Sequence, residues 1–254
     1  MIVSHRFQFV FVHCRKVAGS SMKLAISPHL GDDDIVIGSL HEMLDARIQP
    51  TAAMQRILEQ PSVRLMSTAA RLSGWAPNRA EAVAYKYSFR KALGKNPPHP
   101  PASRMMEWIG ERNWRNYTKF CFVRNPYRQV VSDYLWKSRN SRAQFSFSEY
   151  LHALADPARH SRIVPPGWVS NWEMMSVDGK LALDYVGRFE NMESDFADIT
   201  SRLGVGRLQI SGISAKKSSD YDYRSFYSGD DVETVSRLFR REIEEFGYSY
   251  SEED

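Results

Sequence analysis

The sequence predicts an α/β fold of the P-loop-like, three-layer kind, in which a central parallel sheet carries helices on both faces. Two short apolar runs, residues 7–12 and 119–123, predict buried strands, and each is followed by a turn and a helical pattern. Strands that alternate with helices favour a parallel sheet that is covered on both sides. In such sheets ligands bind at the carboxyl ends of the strands, which is where both turns lie.

The first half of the chain is predicted from apolar runs and from proline. The run at 7–12 is unbroken apart from Gln8, and the helix after it stops near Pro28 because proline cannot continue a helix. The predicted order is a strand at 7–12, a helix at 20–26, a strand at 35–37 after an Asp-rich turn, helices within 43–93, and a stiff Asn-Pro-Pro-His-Pro-Pro linker at 96–101.

The second half is predicted from caps and turns. Ser103 is predicted to cap a helix that runs to about Trp114, and Asp178-Gly179 marks a turn before a strand region. Asp230 and Glu233 form a capping-box pattern ahead of an apolar stripe. The predicted order is a helix at 103–114, a strand at 119–123, a helix at 128–137, a strand region at 181–189, a helix at 195–203, an ordered or closing loop at 211–229, and a last helix at 230–246.

Composition is that of an ordinary globular protein and predicts a single domain over residues 1–254. Apolar residues make up 43% of the 254 and charged residues 25%. No run approaches the roughly 18 apolar residues of a membrane span, and no basic-then-apolar leader precedes the first strand. Cys14 and Cys121 do not make a disulfide framework and predict two reduced thiols. We therefore expect a cytoplasmic protein.

The net charge of +4 is unevenly distributed. Residues 51–120 hold twelve Lys and Arg against four Asp and Glu, whereas residues 171–254 hold ten against eighteen. The basic middle could draw an anionic ligand into a cleft, or it could be a solvated helix face. No nucleic-acid partner is predicted, because no recognised nucleic-acid motif accompanies the charge.

Two segments that suit phosphate follow the two predicted strands. The first is His-Cys-Arg-Lys-Val-Ala-Gly-Ser-Ser-Met at 13–22, and the second is Arg-Asn-Pro-Tyr at 124–127, with Ser132 eight residues after Arg124. A strand that ends in a Gly/Ser turn and opens a helix directs N–H groups and the positive helix end at one point. Lys16 adds a point charge, and Arg124 a guanidinium fork that matches phosphate or sulfate oxygens. Two such segments predict a ligand with phosphate at both ends.

The first segment differs from the nucleoside-triphosphate P-loop, G-x-x-x-x-G-K-[ST]. Lys16 precedes Gly19 instead of following it, and no Ser or Thr follows that Lys to hold magnesium. No metal ion is predicted elsewhere, because no His, Cys and Asp cluster has metal-ligand spacing.

The two segments resemble those of sulfotransferases that use 3′-phosphoadenosine 5′-phosphosulfate (PAPS). Residues 13–22 are similar to the 5′-phosphosulfate loop of that family, and residues 122–134 to its 3′-phosphate segment, an Arg and a Ser eight apart. The group that the chain resembles is that of the bacterial carbohydrate-sulfotransferase-like proteins, sulfotransferase family 2. Other stretches with counterparts in that group lie at 99–120, 147–151, 184–191 and 217–248.

The resemblance has departures and one weak region. Arg15, Val17 and Asn125 stand where Pro, Thr and Asp are common, but none of them removes a binding Lys, Gly, Ser or Arg. Residues 42–95 are the least similar part and are predicted to be a mostly helical insertion on the acceptor side.

The resemblance implies which residues hold PAPS and its product 3′-phosphoadenosine 5′-phosphate (PAP). Lys16 would neutralise the leaving 5′-phosphate, and Arg124 with Ser132 would bind the 3′-phosphate. Lys217 lies with Lys216 in the late loop, where the two would close over the donor or form a plain solvated pair. The other donor-binding candidates belong to the first segment: Arg15, Ala18, Gly19, Ser20, Ser21 and Met22.

A general base is expected to be a histidine, because its pKa lies near working pH. His99 is the first candidate, since it stands in a rigid proline-rich segment and the family often has a His there. His13, His41 and Glu42 are alternatives, and His99 could instead only order its loop.

The predicted function is in-line, metal-independent transfer of a sulfuryl group from PAPS to a hydroxyl of a carbohydrate or small-metabolite acceptor. Two other functions stay open: a P-loop-type kinase, and a non-catalytic nucleotide-binding or basic interaction protein. Bound PAP without magnesium supports the first, magnesium-dependent ATP binding the second, and neither the third. The sequence predicts neither the acceptor nor the oligomeric state.

Overall fold

A five-stranded sheet forms the centre of the molecule. The structure is a computed structural model, and it describes residues 1–141, 143–158, 162–164, 170–210 and 221–251. The strands in chain order are β1 (Ile2–Ser4), β2 (Phe9–Phe11), β3 (Ile35–Val36), β4 (Thr118–Val123), β5 (Ser176–Val177), β6 (Lys180–Leu181) and β7 (Tyr185–Arg188). The central sheet has the order β3-β1-β2-β4-β7, and β5 and β6 form a separate hairpin.

The sheet is parallel in the half that β2, β4 and β7 form. β2 pairs with β4, and β4 with β7, in parallel, whereas β1 runs antiparallel to both β2 and β3. The predicted α/β class with a mostly parallel sheet and surrounding helices is therefore confirmed. β1 was not predicted, because three residues are too few to show a period. It reaches β2 through a turn in which Gln8 adopts a φ of 53°.

Helices surround the sheet and fill the segment between β3 and β4. Their bounds are α1 (Gly19–Ile26), α2 (Leu40–Asp45), α3 (Ala52–Leu58), α4 (Pro61–Leu72), α5 (Pro77–Ser88), α6 (Arg90–Leu93), α7 (Ala102–Ile109), α8 (Glu111–Asn116), α9 (Pro126–Asn140), α10 (Phe147–Ala155), α11 (Asn171–Met175), α12 (Met192–Arg202), α13 (Asp231–Leu238) and α14 (Arg240–Phe246). Residues 42–95 are thus mostly helical, as predicted.

Two helices that were predicted as continuous are each divided. The helix predicted over 103–114 breaks into α7 and α8 at Gly110, whose φ of 84° lies outside the helical region. The predicted cap, Ser103, lies inside α7, which starts after Pro101. The helix predicted over 230–246 breaks at Phe239 into α13 and α14, and Asp230 makes no side-chain cap.

The hydrophobic core has two parts. The larger part surrounds the sheet and includes the fully buried rings of Phe9, Phe11 and Phe120. The smaller part lies between α9, α10 and α13 and is rich in aromatic rings, among them Phe147 and Tyr150. The loop after β2 and the start of α9 lie between these two parts, and the candidate site is there.

Candidate active site

The structure places the two predicted phosphate segments side by side. β2 and β4 are parallel neighbours, with Phe11 opposite Phe120, and the backbone N–H of Val12 donates to the carbonyl oxygen of Phe120 at 2.8 Å. Both strands therefore end at the same edge of the sheet. The β2–α1 loop, residues 12–18, and Arg124 follow those ends directly. This juxtaposition is the one that the sequence predicts.

The β2–α1 loop has a backbone shape that suits an anion. Lys16 and Ala18 are in the left-handed region, with φ of 63° and 58°, and they are separated by one residue. Left-handed residues that alternate with ordinary ones turn successive N–H groups toward one point. The amides of Ser21 and Met22 both donate to the carbonyl oxygen of Ala18, so the N–H groups of Gly19 and Ser20 remain directed out of the helix start.

Gly19 is required by a close contact with His13. A Cβ at position 19 would lie 2.0 Å from His13 Cδ2 and 2.1 Å from its Nε2. Only a glycine lets the imidazole cover the first residue of α1, which brings a ring nitrogen to the edge of the loop. Ser20, the next residue, accepts a hydrogen bond from the Ser39 hydroxyl at 3.1 Å.

Arg15 is bound to α9. Its guanidinium lies 3.3 Å from the Asp133 carboxylate, which also accepts from the Tyr150 hydroxyl at 2.5 Å. Its backbone N–H donates to Asn171 Oδ1 at 2.9 Å. These contacts fix the β2–α1 loop against α9 and Asn171. A contact of Arg15 with the donor stays a prediction. Lys16 Nζ lies 5.7 Å from the centroid of the exposed Trp136 ring, a candidate surface for stacking that the sequence could not single out.

Arg124 is held at the end of β4 by residues that follow β7. Its guanidinium carbon lies 4.2 Å from the centroid of the Phe189 ring. The next residue, Asn125, donates its backbone N–H to Glu190 Oε1 at 2.9 Å, and its own side chain caps α9 by accepting from Tyr127 N at 3.0 Å. Asn at this position therefore does the capping work that the more common Asp would do.

Ser132 lies on α9, half-buried, near the side of the helix that contacts the loop. It comes three residues after Gln129 and directly before Asp133. Gln129 accepts from Asn171 Nδ2 at 3.0 Å, and Asn171 in turn binds the Arg15 backbone. The binding of a donor phosphate by Ser132 stays a prediction.

His99 is oriented by the loop itself. Its Nδ1 lies 2.7 Å from the carbonyl oxygen of His13, and the two rings are 4.4 Å apart. Because a carbonyl oxygen only accepts, Nδ1 carries the ring proton and Nε2 keeps its lone pair. Burial lowers the pKa of both histidines well below the usual value, with a smaller opposing effect of this hydrogen bond at His99. A neutral imidazole whose Nε2 keeps its lone pair is competent as a base.

Lys23 is a residue that the sequence analysis missed. Its side chain is 1% exposed, and its Nζ lies 3.1 Å from His13 Nδ1 and 3.4 Å from the carbonyl oxygen of Ile37. Burial lowers the pKa of Lys23 to about 7, against an opposing effect of Glu42. A signal existed: Lys23 lies four residues after Gly19 and three before Ile26, on the buried face of α1.

The other two base candidates also lie near Lys23. Glu42 is close enough to act on the pKa of the Lys23 ammonium, and His41 Nδ1 lies 2.8 Å from Glu42 Oε2. Three of the four candidates, His13, His99 and Glu42, therefore interact with one buried lysine, and His41 contacts Glu42.

Comparison with known proteins identifies the family. A protein-family model described as the sulfotransferase family matches residues 1–249. The chain belongs to the sulfotransferase family. It is 29% identical over 108 residues to an uncharacterized protein of Archaeoglobus fulgidus, which is 41% of this chain and 82% of that protein. The crystal structure of a sulfotransferase from Alicyclobacillus acidocaldarius superposes with a TM-score of 0.41 at 18% identity, over 93% of this chain and 97% of the other.

Further features of this sulfotransferase bear on the sequence predictions. Lys217 lies outside the described residues, so its predicted closure over the donor stays a prediction. Within the described residues, no three His, Cys, Asp or Glu side chains come together as a metal site. In that same part of the chain, no helix is both long and apolar enough to cross a bilayer. Cys14 and Cys121 are free thiols and fully buried, and burial raises the pKa of Cys121.

Proposed function

We propose that this sulfotransferase takes its sulfuryl group from PAPS and passes it to a hydroxyl of a carbohydrate or small-metabolite acceptor, in the cytoplasm of a bacterium and without a metal ion. The observation that carries the proposal is the junction of β2 and β4. There two cationic segments and the His99 imidazole meet at one edge of the sheet. A donor with phosphate groups at two ends fits two cationic segments better than a donor with one.

The residues present divide the donor between the two segments. Lys16, the amides of residues 18–20 and the hydroxyls of Ser20 and Ser21 would bind the 5′-phosphosulfate, at the positive end of α1. Arg124 and Ser132 would bind the 3′-phosphate. Arg15, which is paired with Asp133, and Met22, which is buried with its amide inside α1, would support the donor-binding loop. Lys217 would complete the donor site when the late loop closes.

The chemistry follows from that arrangement. The acceptor oxygen attacks sulfur in line, the new S–O bond forms, and the bond from sulfur to the 5′-phosphate oxygen breaks. Lys16 stabilises the charge that grows on the departing phosphate. His99 Nε2 accepts the acceptor's proton, and the carbonyl of His13 stabilises the imidazolium through Nδ1–H. PAP is the second product.

The acceptor would approach from the side of the helical segment 42–95. That segment connects β3 to the rigid linker that carries His99. Its surplus of Lys and Arg favours an acceptor with anionic groups of its own.

One experiment separates the proposed function from its alternatives. Calorimetry with PAP in the presence of a chelator should show binding, whereas ATP with magnesium should bind weakly or not at all. Magnesium-dependent ATP binding would instead favour a P-loop-type kinase, and binding of neither ligand would favour a non-catalytic protein. Incubation of acceptor extracts with ³⁵S-labelled PAPS then identifies the acceptor class by its labelled product.

A further inference from the structure

Lys23 is a buried charge at the back of the candidate site. It extends from the middle of α1 beneath the β2–α1 loop, and its contacts are the His13 imidazole and the carbonyl of Ile37. Gly38 is close as well, because a Cβ there would lie 3.1 Å from Lys23 Nζ and 2.9 Å from Pro98. The lysine is therefore enclosed by three elements, the end of β2, the loop after β3, and the proline-rich linker that carries His99.

The contact with His13 decides where the His13 ring proton lies. An ammonium group only donates, so a charged Lys23 donates to Nδ1 and leaves the proton of a neutral imidazole on Nε2. His13 Nε2 is the atom that covers Gly19. An N–H at that position faces the start of α1, where the amides of Gly19 and Ser20 are also directed. His13 then adds one more donor to an anion-binding loop.

The charge of Lys23 also acts on His99. The two histidine rings are in contact, so a proton on either one lies close to the Lys23 ammonium. Lys23 opposes protonation of both rings, and so does the Met1 amino group, which binds the carbonyls of Ile37 and Pro98. Arg15 adds to the effect on His99. On α2, Glu42 favours the ammonium form of Lys23 and contacts His41, whereas Asp45, at the end of the helix, accepts a hydrogen bond from Asn78.

Packing alone does not account for a lysine at this position. A buried ammonium costs several kcal/mol unless it is paired, whereas an apolar side chain of the same length would fill the space without that cost. The hydrogen bonds of Lys23 with the His13 imidazole and the carbonyl of Ile37 are what an apolar residue could not supply.

We propose that Lys23 is a positioning residue of the sulfotransfer reaction, which holds His13 with its ring proton on Nε2, facing the start of α1, and keeps the adjacent His99 neutral and ready to accept a proton. The proposal rests on the proposed function for its catalytic meaning. Its structural content, the proton positions on two rings, does not depend on the donor or the acceptor.

Nitrogen NMR of the ¹⁵N-histidine-labelled protein tests those proton positions directly. The spectra are recorded at pH 6, where Lys23 is charged, and His13→Gln and His99→Gln variants assign the signals. We expect His13 protonated on Nε2 and His99 protonated on Nδ1. A His13 signal with the proton on Nδ1 in the unaltered protein overturns the proposal, and no variant of Lys23 is needed to see it.

Lys23→Met then tests the cause. The variant should release the His13 tautomer and raise the pKa of His99, because a nearby like charge is removed. Lys119→Met is the matched control: Lys119 is also a buried lysine, paired with Asp184 at 2.8 Å, but it lies near the opposite end of β4. Histidine signals that are the same in Lys23→Met as in the unaltered protein, or that change equally in the control, overturn the proposal.

An activity measurement connects the result to the reaction. If the enzyme transfers sulfuryl groups, Lys23→Met should lower kcat at pH 6 and move the acidic limb of the pH profile upward, with an unchanged profile for Lys119→Met. If the protein shows the expected tautomers of His13 and His99 but no sulfotransfer activity, the proposed function is contradicted, whereas the role of Lys23 in orienting His13 is not.

Discussion

At the scale of single residues, the contact between Gly19 and His13 is the tightest constraint at the site. A methyl group at position 19 would overlap the imidazole by more than 1 Å relative to ordinary contact. Gly19→Ala should therefore displace His13 and destabilise the fold by about 1–3 kcal/mol, the usual cost of overpacking. The measurement is denaturant unfolding of Gly19→Ala alone and together with His13→Ala. The double variant should recover most of the loss, and strictly additive effects would show that the ring is not the obstacle.

Arg124 is expected to recognise one end of the donor only. Arg124→Ala should weaken PAP binding by tens-fold or more, because a buried charge-assisted pair is worth on the order of 2–5 kcal/mol. Adenosine 5′-phosphosulfate lacks the 3′-phosphate and should be little affected. Calorimetry with both ligands decides the point, with the remote surface variant Arg56→Ala as control. Equal losses for the two ligands would show that Arg124 does not contact the 3′ end.

His99 is expected to set the acidic limb of the reaction. Only the neutral imidazole accepts a proton, so kcat should rise with pH through the pKa of His99. Because burial lowers that pKa, the limb should lie below the ordinary value of 6.5. His99→Ala should lower turnover by about 10²–10⁴-fold, abolish the limb and leave PAP affinity nearly unchanged. If His41→Ala, His13→Ala or Glu42→Ala shows these changes instead, that residue is the base.

At the scale of elements, helix α1 has its positive end at the β2–α1 loop and a destabilising residue, Lys23, on its buried face. Lys23 has a pKa of about 7 when folded and 10.5 when unfolded, so the unfolded state binds more protons between those values. Stability should therefore rise as pH increases from about 7 to 10.5, and the penalty is complete below pH 7. Lys23→Met should remove this slope and increase the free energy of unfolding at pH 7. The measurement is thermal and denaturant unfolding of the unaltered protein, of Lys23→Met and of the control Lys119→Met across that pH range. A Lys23→Met variant that keeps the slope would contradict the prediction.

The elements that carry the site were predictable from the sequence because each combines a strong local signal with a long buried run. β2 lies within the apolar run at 7–12 and β4 includes the run at 119–123, and the parallel pairing of these two strands places the two phosphate segments together. β1 was missed because its apolar run, residues 1–3, ends at Ser4, whereas the run that contains β2 extends over residues 7–12. The break at Gly110 was missed because an apolar stripe on either side of a glycine keeps the same helical spacing.

Two aspects of the site could not be predicted for a physical reason. The left-handed conformations of Lys16 and Ala18 cost energy for residues with a Cβ, so local preference favours the opposite choice, and only the packed loop imposes them. Lys23 was missed because a lysine is normally placed at the surface, and its burial depends on the His13 and Ile37 groups that come to meet it.

At the scale of the whole molecule, the site lies where two hydrophobic cores meet. The sheet core supplies β2, β4 and α1, and the aromatic core supplies α9 and α10 with Asp133 and Tyr150. Arg15, on the loop, is bound to the second core through Asp133. Relative motion of the two cores would open the loop, so a donor bound to both sides should hold them together.

Because Cys14 and Cys121 are buried, the opening of the molecule can be measured as the rate at which a thiol reagent modifies them. Both thiols have no exposed surface and flank the junction of β2 and β4, so a thiol reagent can reach them only when the molecule opens. A ligand that binds only the closed form should slow modification by about a hundredfold at a hundred times its dissociation constant. Single-cysteine proteins, Cys14→Ala and Cys121→Ala, would show which side of the junction opens first. Modification that proceeds at the same rate with and without PAP would mean that the thiols become exposed while the donor stays bound. In that case, chemical inactivation would still threaten the enzyme in the middle of its catalytic cycle.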